Sequence, residues 1–316
     1  MSLKKRRKGK HMKLKDIKKV LILGAGTMGQ QIGFTCALHG YHVALYDISD
    51  EILKDSLKRM EKLGSSWFVR SNRITEEQLK EIMGRITATS DAKVAAKDTD
   101  IINESVPEDP KLKGKIFAQF NELCPKRTIF TTNTSLLLPS VFAEATGRPE
   151  KLVALHFHDV RTTNIVDVMP HPGTDPSVTR LVHDFAVSIG QVPIMLHREN
   201  NGYVFNTMIS NLFTSALSLV TRDVASIEDV DRSWMGVTHM PMGPFGIMDQ
   251  IGLKTVWMIT DYWARKTKNS LAEANANLLK QYVDRGELGA KTKKGFYSYP
   301  KPAYTQPGFL SGNTRK

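Results

Sequence analysis

The stretch from Val20 to Asp47, VLILGAGTMGQQIGFTCALHGYHVALYD, constrains this chain more than any other. Val20 to Leu23 is an apolar run too short for a helix and closed at once by glycine, the pattern of a strand buried in a parallel sheet. Gly24, Gly26 and Gly29 then form G-x-G-x-x-G, with Thr27 and Met28 between the second and third glycines. In this pattern the first glycine allows the tight strand-to-helix turn, the second lets backbone N–H groups approach a pyrophosphate, and the third lets the helix pack close on the strand. The helix N-terminus that follows offers unpaired N–H groups and a positive dipole end to phosphates. Ile32, Thr35, Cys36 and His39 continue at helical spacing, Gly40 supplies a left-handed stop, and Val43 to Tyr46 reads as a second strand ending in Asp47. An acid roughly 20 residues past the glycines is placed to accept from a ribose 2′-hydroxyl. Asp47 would repel a 2′-phosphate and Ile48 offers no cation in its stead, so NAD(H) is expected over NADP(H).

A chain of 316 residues with 41% hydrophobic content suggests two domains with real cores, and no apolar stretch approaches the length of a membrane span. The formal charge of +12 invites a nucleic-acid reading, but Lys4, Lys5, Arg6, Arg7, Lys8 and Lys10 carry half of it before the patterned sequence begins. Residues 1–12 read as an expression leader, the alternative being a natural basic arm. Cys36 and Cys124 lie in apolar surroundings, which argues against a disulfide framework or a metal-thiolate site and suits a reducing compartment. No metal is expected, and with no apolar signal segment visible a cytoplasmic protein is expected.

Ser49 with Asp50 and Glu51 reads as a helix start, and the apolar face Ile52, Leu53, Leu57, Met60 and Leu63 runs to Gly64. Thr75-Glu-Glu-Gln78 is a second, capping-box-like start. Between them Arg70 and Arg73 either grip an anionic substrate arm or form a solvated basic face. Strands at Ile86–Ala88, Asp100–Val106 and Thr128–Thr132 then alternate with helices at Ala92–Lys97 and Pro110–Leu123, implying a parallel sheet. Ligands bind beyond the carboxyl ends of such strands, which directs attention to Glu104–Glu108, Asn133–Ser135 and His156–Asp159. Near Gly202 the alternation gives way to helical patterns at Val204–Val220, Phe245–Ala264 and Leu271–Asp284. We therefore expect an α/β domain over residues 13–198, an all-helical domain over 199–316, and a loosely ordered tail from Pro300.

Four polar residues stand out. His156 ends the apolar run LVAL at an expected sheet tip, where it could exchange a proton near neutral pH. Asp167 lies inside the apolar run NIVDVM, where an ionised carboxylate is costly unless paired, so pairing with His156 is expected. Ser135 and Asn206 complete the set, although on their own they could be a turn cap and a helix-surface amide.

With their flanks, these residues resemble the L-3-hydroxyacyl-CoA dehydrogenases, including short-chain 3-hydroxybutyryl-CoA dehydrogenases and a diketoreductase-like subgroup. The resemblance runs from about Val20 to Tyr299 and rests on GAGTMG, ESVPEDPKLK, TNTS, LHF, NGYVFN, MPMGPFGIMDQIGL and LGAKTKKGFYSY. It implies a Rossmann-like doubly wound NAD domain followed by an all-helical domain that dimerises and completes a substrate cleft. Carried over, His156 matches the catalytic acid/base, Ser135 and Asn206 match groups holding the substrate oxygen, and Glu108 and Lys113 match residues lining the nicotinamide half of NAD. Gly24, Gly26, Thr27, Met28, Gly29, Asp47 and Ser135 are then the remaining cofactor contacts.

The chain also departs from the family pattern. The family continues its histidine as HFFNP and later places a glutamate in V-E-V, whereas here the histidine continues as HFHDV, and VDVM carries Asp167 after an interval one residue shorter. Asp159 offers itself as an alternative orienting acid. MPHPGTDP resembles the branch that oxidises free hydroxy acids, such as gulonate dehydrogenase. A short-chain 3-hydroxyacyl-CoA dehydrogenase is the reading adopted, with the same chemistry on a free 3-hydroxy acid or diketo ester as first rival. A non-enzymatic, crystallin-like NAD-binding protein is the second. A small-molecule substrate and a homodimer are expected, with no nucleic acid and no membrane.

Overall fold

The computed structural model describes residues 12–312, so that all but Met12 of the basic leader lies outside the described residues. The chain divides into two compact units, one ending at Val204 and the second beginning at Phe205. The first is built on eight strands: β1 (Lys19–Leu23), β2 (His42–Tyr46), β3 (Ile86–Thr89), β4 (Ile101–Glu104), β5 (Ile129–Thr132), β6 (Leu152–Phe157), β7 (Ile165–Pro170) and β8 (Val192–Met195). They form one sheet in the order β3-β2-β1-β4-β5-β6-β7-β8.

Strands β1 to β6 are parallel, as the alternation of elements implies, but β7 runs antiparallel to β6 and carries β8 with it. The reason lies in the connection. Only residues 158–164 separate β6 from β7, and a parallel crossover takes about a dozen residues or more. The sheet is therefore mixed at this edge, and the reversal sets His156 directly opposite Asp167.

Helices α1 (Thr27–Leu38), α2 (Asp50–Gly64), α3 (Glu76–Gly84), α4 (Ala92–Ala96), α5 (Pro110–Leu123) and α6 (Pro176–Ser188) cover the sheet. Side chains alternate across a strand, so β1 sends Val20 and Ile22 into one core with Ile32, Met60 and Phe185, and Leu21 and Leu23 into the other with Phe117 and Phe120. Both expected caps form: the Ser49 hydroxyl accepts the Ile52 N–H, and Thr75 and Gln78 make a reciprocal capping box.

The second unit comprises α7 (Phe205–Thr221), α8 (Ile227–Thr238), α9 (Pro244–Ile251), α10 (Leu253–Thr267) and α11 (Ser270–Asp284) around Phe213, Leu217, Phe245, Met248 and Leu279. The single helix expected over Phe245–Ala264 is two, because Gly252 takes φ +105° between α9 and α10. Two buried acids explain why MGPF, D-x-x-GL and KxGFYxY belong together. Asp231 accepts the N–H groups of Phe245 and Gly246 at the start of α9 and the Tyr297 hydroxyl, at 2.8, 3.0 and 2.9 Å. Asp249 accepts the N–H groups of Phe296 and Tyr297 and the Tyr299 hydroxyl, at 2.9, 2.9 and 3.0 Å. The tail is correspondingly not loose as far as it is described: Tyr304 and Phe309 are buried in this core, and the Arg232 guanidinium donates to the Phe309 carbonyl.

Candidate active site

At the fingerprint turn, Gly24 has φ +99°, and a Cβ on Gly29 would stand 1.9 Å from the Gly24 carbonyl oxygen, so neither tolerates a side chain. Gly26 differs: a Cβ there meets no heavy atom within 4 Å. It borders open space at the N-terminus of α1, where the first-turn N–H groups of Thr27, Met28 and Gly29 lack intrahelical partners, and a pyrophosphate fits that cradle. Asp47, just beyond the tip of β2, accepts the Ala25 N–H at 2.8 Å and the Ile48 N–H at 2.8 Å. Its carboxylate is thus fastened to the glycine turn, with lone pairs left for a ribose hydroxyl.

Beyond β4 and β5 lies a charged knot. Lys113, on α5, is 1% exposed, with its ammonium 2.7 Å from Glu104 Oε1 and 3.2 Å from Glu108 Oε2. The Thr132 hydroxyl and the Val106 N–H also donate to Glu104. Glu108 takes the Ser135 N–H at 2.6 Å, the Thr134 hydroxyl at 2.8 Å and the Ser135 hydroxyl at 3.3 Å. Two carboxylates thus share one buried cation, and they part in character. Burial pushes Glu104 above the usual carboxylate range, whereas Lys113 and the N–H donors outweigh partial burial and hold Glu108 below it. Ser135 is therefore directed at Glu108 by both its N–H and its hydroxyl, and Glu104, which opens the Glu104–Glu108 stretch marked by the strand-end rule, joins this knot without an individual role read from the sequence.

The tip of β6 carries the central pair. His156 and Asp167 are cross-strand partners, both buried, with Nδ1 3.1 Å from Oδ2. Burial alone would raise the Asp167 carboxyl, but the imidazoles of His156 and His158 outweigh it and hold the group below its ordinary range. An ionised carboxylate only accepts, so Nδ1 of His156 carries the proton between them and Nε2 is the nitrogen left for proton exchange. Tyr203 stacks on the His156 ring at 4.5 Å and 8°, and its hydroxyl donates to the Thr134 carbonyl at 2.6 Å. Burial pushes that phenol well above its usual range, keeping it a donor. Asp159, the alternative orienting acid, is committed elsewhere, since both its oxygens are held by the Arg161 guanidinium.

Like Glu104, His158 and Tyr203 have no individual role read from the sequence, although His158 falls in the marked stretch His156–Asp159 and Tyr203 in NGYVFN. The stacking of Tyr203 depends on a positive φ of 51° just before α7, which a sequence pattern does not encode. His156, His158 and Asp167 are also the one His/Cys/Asp/Glu trio among the described residues compact enough for a metal ion, with ligand atoms within 4.8 Å of one another. Asn206 occupies the first turn of α7, in the second unit. Arg70 and Arg73 are exposed, and neither lines the basic hollow of about 230 Å³ formed by Arg59, Lys62, Trp67 and Arg161 beside Thr27.

Comparison with known proteins finds relatives over most of the chain. Residues 19–200 match the family model for the NAD-binding domain of 3-hydroxyacyl-CoA dehydrogenase, and residues 202–299 match that for its C-terminal domain. The 3-hydroxybutyryl-CoA dehydrogenase of Clostridioides difficile is 31% identical over 285 residues, which cover 90% of this chain and 100% of that protein. The mitochondrial hydroxyacyl-coenzyme A dehydrogenase of Homo sapiens is 29% identical over 288 residues, covering 90% and 91%. A solved diketoreductase that acts on dicarbonyl compounds is 38% identical with a TM-score of 0.84, covering 90% of this chain and 99% of that one.

Proposed function

The chain belongs to the 3-hydroxyacyl-CoA dehydrogenase family, NAD-dependent oxidoreductases acting on CH–OH groups, and on that premise we propose that it interconverts a short-chain L-3-hydroxyacyl-CoA with its 3-ketoacyl-CoA. The observation that carries this reading is the His156–Asp167 pair, an acid–base group whose tautomer is fixed by a buried carboxylate. NAD would be held at its pyrophosphate by the turn of Gly24, Gly26, Thr27, Met28 and Gly29 and at its adenosine ribose by Asp47, with Glu108, Lys113 and Ser135 toward the nicotinamide half, and would supply the hydride for reduction and accept it in oxidation.

His156 manages the proton. In reduction, Nε2 gives a proton to the 3-keto oxygen as negative charge develops there, and in oxidation it removes the hydroxyl proton. Asp167 fixes the ring by accepting from Nδ1 and favours the imidazolium that oxidation leaves behind. Tyr203 holds the ring face, so the imidazole pivots little between the two states. Asn206 and Ser135 are assigned as the groups that steady the substrate oxygen. While its proton faces Glu108, the Ser135 hydroxyl offers that oxygen nothing to accept, so this assignment requires the hydroxyl to turn when substrate binds. The cations lining the hollow at Arg59, Lys62 and Arg161 favour a substrate with an anionic arm, as a coenzyme A thioester has.

A second reading keeps the chemistry and changes the substrate to a free 3-hydroxy acid or a diketo ester. It is favoured by the greater identity to the diketoreductase, 38% against 31% for the 3-hydroxybutyryl-CoA dehydrogenase. NADH oxidation decides: turnover with acetoacetyl-CoA supports the thioester reading, and activity confined to free keto acids or diketo esters supports the second. An absence of turnover with all of them, despite NAD binding, would instead support a crystallin-like NAD-binding role. For assembly, a homodimer through the helical unit is proposed, since Met208 on α7 and Met258 and Tyr262 on α10 are 61%, 57% and 58% exposed.

A further inference from the structure

We infer that His158 is a positioning residue for this acid–base pair, the second imidazole that holds the Asp167 carboxylate in line with His156. The inference rests on the dehydrogenase reading and extends it to a residue that none of the carried-over roles includes. Residues 156 and 158 are two apart at the end of an extended strand, so their side chains leave on the same face of the sheet. Asp167 lies opposite the first in the antiparallel pairing, and the second follows directly after the last paired residue of β6, Phe157. Asp167 Oδ2 is consequently 3.1 Å from His156 Nδ1 and 3.4 Å from His158 Nε2, while the two rings meet edge to face with centroids 4.8 Å apart.

Asp167 is 1% exposed; His156 hydrogen-bonds to it, and both imidazoles lie within ion-pair distance of its Oδ2. A buried carboxylate with one donor is free to turn about its own axis, and a second donor on the same oxygen removes that freedom. The arrangement also fixes where the protons sit. A carboxylate only accepts, so His156 carries hydrogen on Nδ1, and in the inferred arrangement His158 carries hydrogen on Nε2, the opposite tautomer. A bare Nε2 on His158 would set two lone pairs against each other in a buried site, and that arrangement is disfavoured. The contact at 3.4 Å is long for a hydrogen bond, which makes His158 a steering group and leaves the closer His156 to respond to the substrate.

Two measurements test this. Side-chain nitrogen–proton correlation spectra of the full-length wild-type protein report each histidine's tautomer without any need for turnover: Nε2–H is expected at His158, and a bare Nε2 there would overturn the inference. Steady-state kinetics on His158→Phe and His158→Gln supply the second readout, since glutamine places an amide N–H near the position of Nε2. His158→Phe should lower kcat roughly tenfold, the order of one hydrogen bond to a charged group, with the KM for NADH unchanged, and His158→Gln should restore most of that loss. Equal rates for wild type and His158→Phe, or a glutamine variant as slow as the phenylalanine one, would overturn it while leaving the dehydrogenase reading intact. A wild type inactive on every keto substrate would instead overturn that reading, and the tautomer measurement alone would then decide the role of His158.

Discussion

His156 and Asp167 are directly opposite partners across an antiparallel strand pair, with 3.1 Å between Nδ1 and Oδ2. The shorter acid reaches its histidine because the two backbones are locked opposite each other, so no long side chain is needed. Asp167→Asn keeps the shape but brings an amide donor to a place where the imidazoles require an acceptor. Turnover should fall by roughly 10²-fold or more, as when the orienting acid of a catalytic histidine is neutralised, with NAD affinity little changed. Steady-state rates and an NAD titration check this, and unchanged turnover would remove Asp167 from the acid–base pair.

The same carboxylate makes a pH-dependent contribution to stability. Its folded pKa lies below the ordinary aspartate value, so the stabilisation is fully present above roughly pH 4, the unfolded value, and is lost as pH falls through the lower folded value. Thermal unfolding at a series of pH values should show wild type more stable than Asp167→Asn at neutral pH, with the gap closing below about pH 4. A gap that stays constant on acidification would contradict the ionised pairing.

Asp47 is the proposed basis of cofactor choice. Asp47→Ala removes the proposed ribose acceptor and the two ties that it makes to the Ala25 and Ile48 N–H groups. NAD affinity should drop by about tenfold or more, the order of a hydrogen bond to a charged group, and the preference over NADP should narrow. Titrating both cofactors against wild type and variant measures this. Equal affinity of the wild type for NADP would overturn the assignment.

Asp249 is a structural counterpart in the helical unit. Burial pushes its carboxyl above the usual range, partly offset by the three donors it receives. Asp249→Ala orphans two buried N–H groups and a hydroxyl, and should cost about 3 kcal/mol or more. Gly295→Ala drives a Cβ to within 2.1 Å of Asp249 Oδ1 and should also destabilise, by roughly 1–3 kcal/mol. Denaturant titration measures both, and wild-type midpoints would show that this clasp does not hold the unit together.

The pattern of what a sequence reveals follows the range of the forces involved. The glycine turn, the Ser49 and Thr75 caps and the alternation of β1 to β5 are local, and each is legible because a few neighbouring residues decide it. The partnership of His156 with Asp167 is only half legible. Residue types and burial cost say that the acid needs a partner, but pairing depends on β7 turning back antiparallel, a matter of loop length and register. The stretches holding His158, Tyr203 and Glu104 are legible, but their individual roles are not, because those come from a strand face, a stacking contact and a shared lysine. The break at Gly252 and the anchoring of Phe309 fail for a related reason: helical periodicity runs across a left-handed glycine, and a polar tail can still seat one aromatic side chain in a distant core.

Assembly gives a separate test. Phe213 and Leu217 on α7 are buried within the unit, whereas Met208 and Leu219 on the same helix are exposed, as are Met258 and Tyr262 on α10. Sedimentation at micromolar concentration should give a mass near twice the 35.4 kDa of one chain, and Met258→Glu should shift it toward the monomer. A wild type that is monomeric under those conditions would contradict the proposed dimer.

The most direct test of the proposed chemistry is the rate of NADH-dependent reduction of acetoacetyl-CoA by wild type and His156→Ala, measured with NADH saturating and its affinity determined separately. Loss of the residue that moves the proton should lower turnover by roughly 10²–10⁴, the usual range for general acid–base catalysis, with NADH affinity unchanged. A His156→Ala enzyme that turns over at the wild-type rate would show that this histidine, and the strand pairing that orients it, is not where the proton is exchanged.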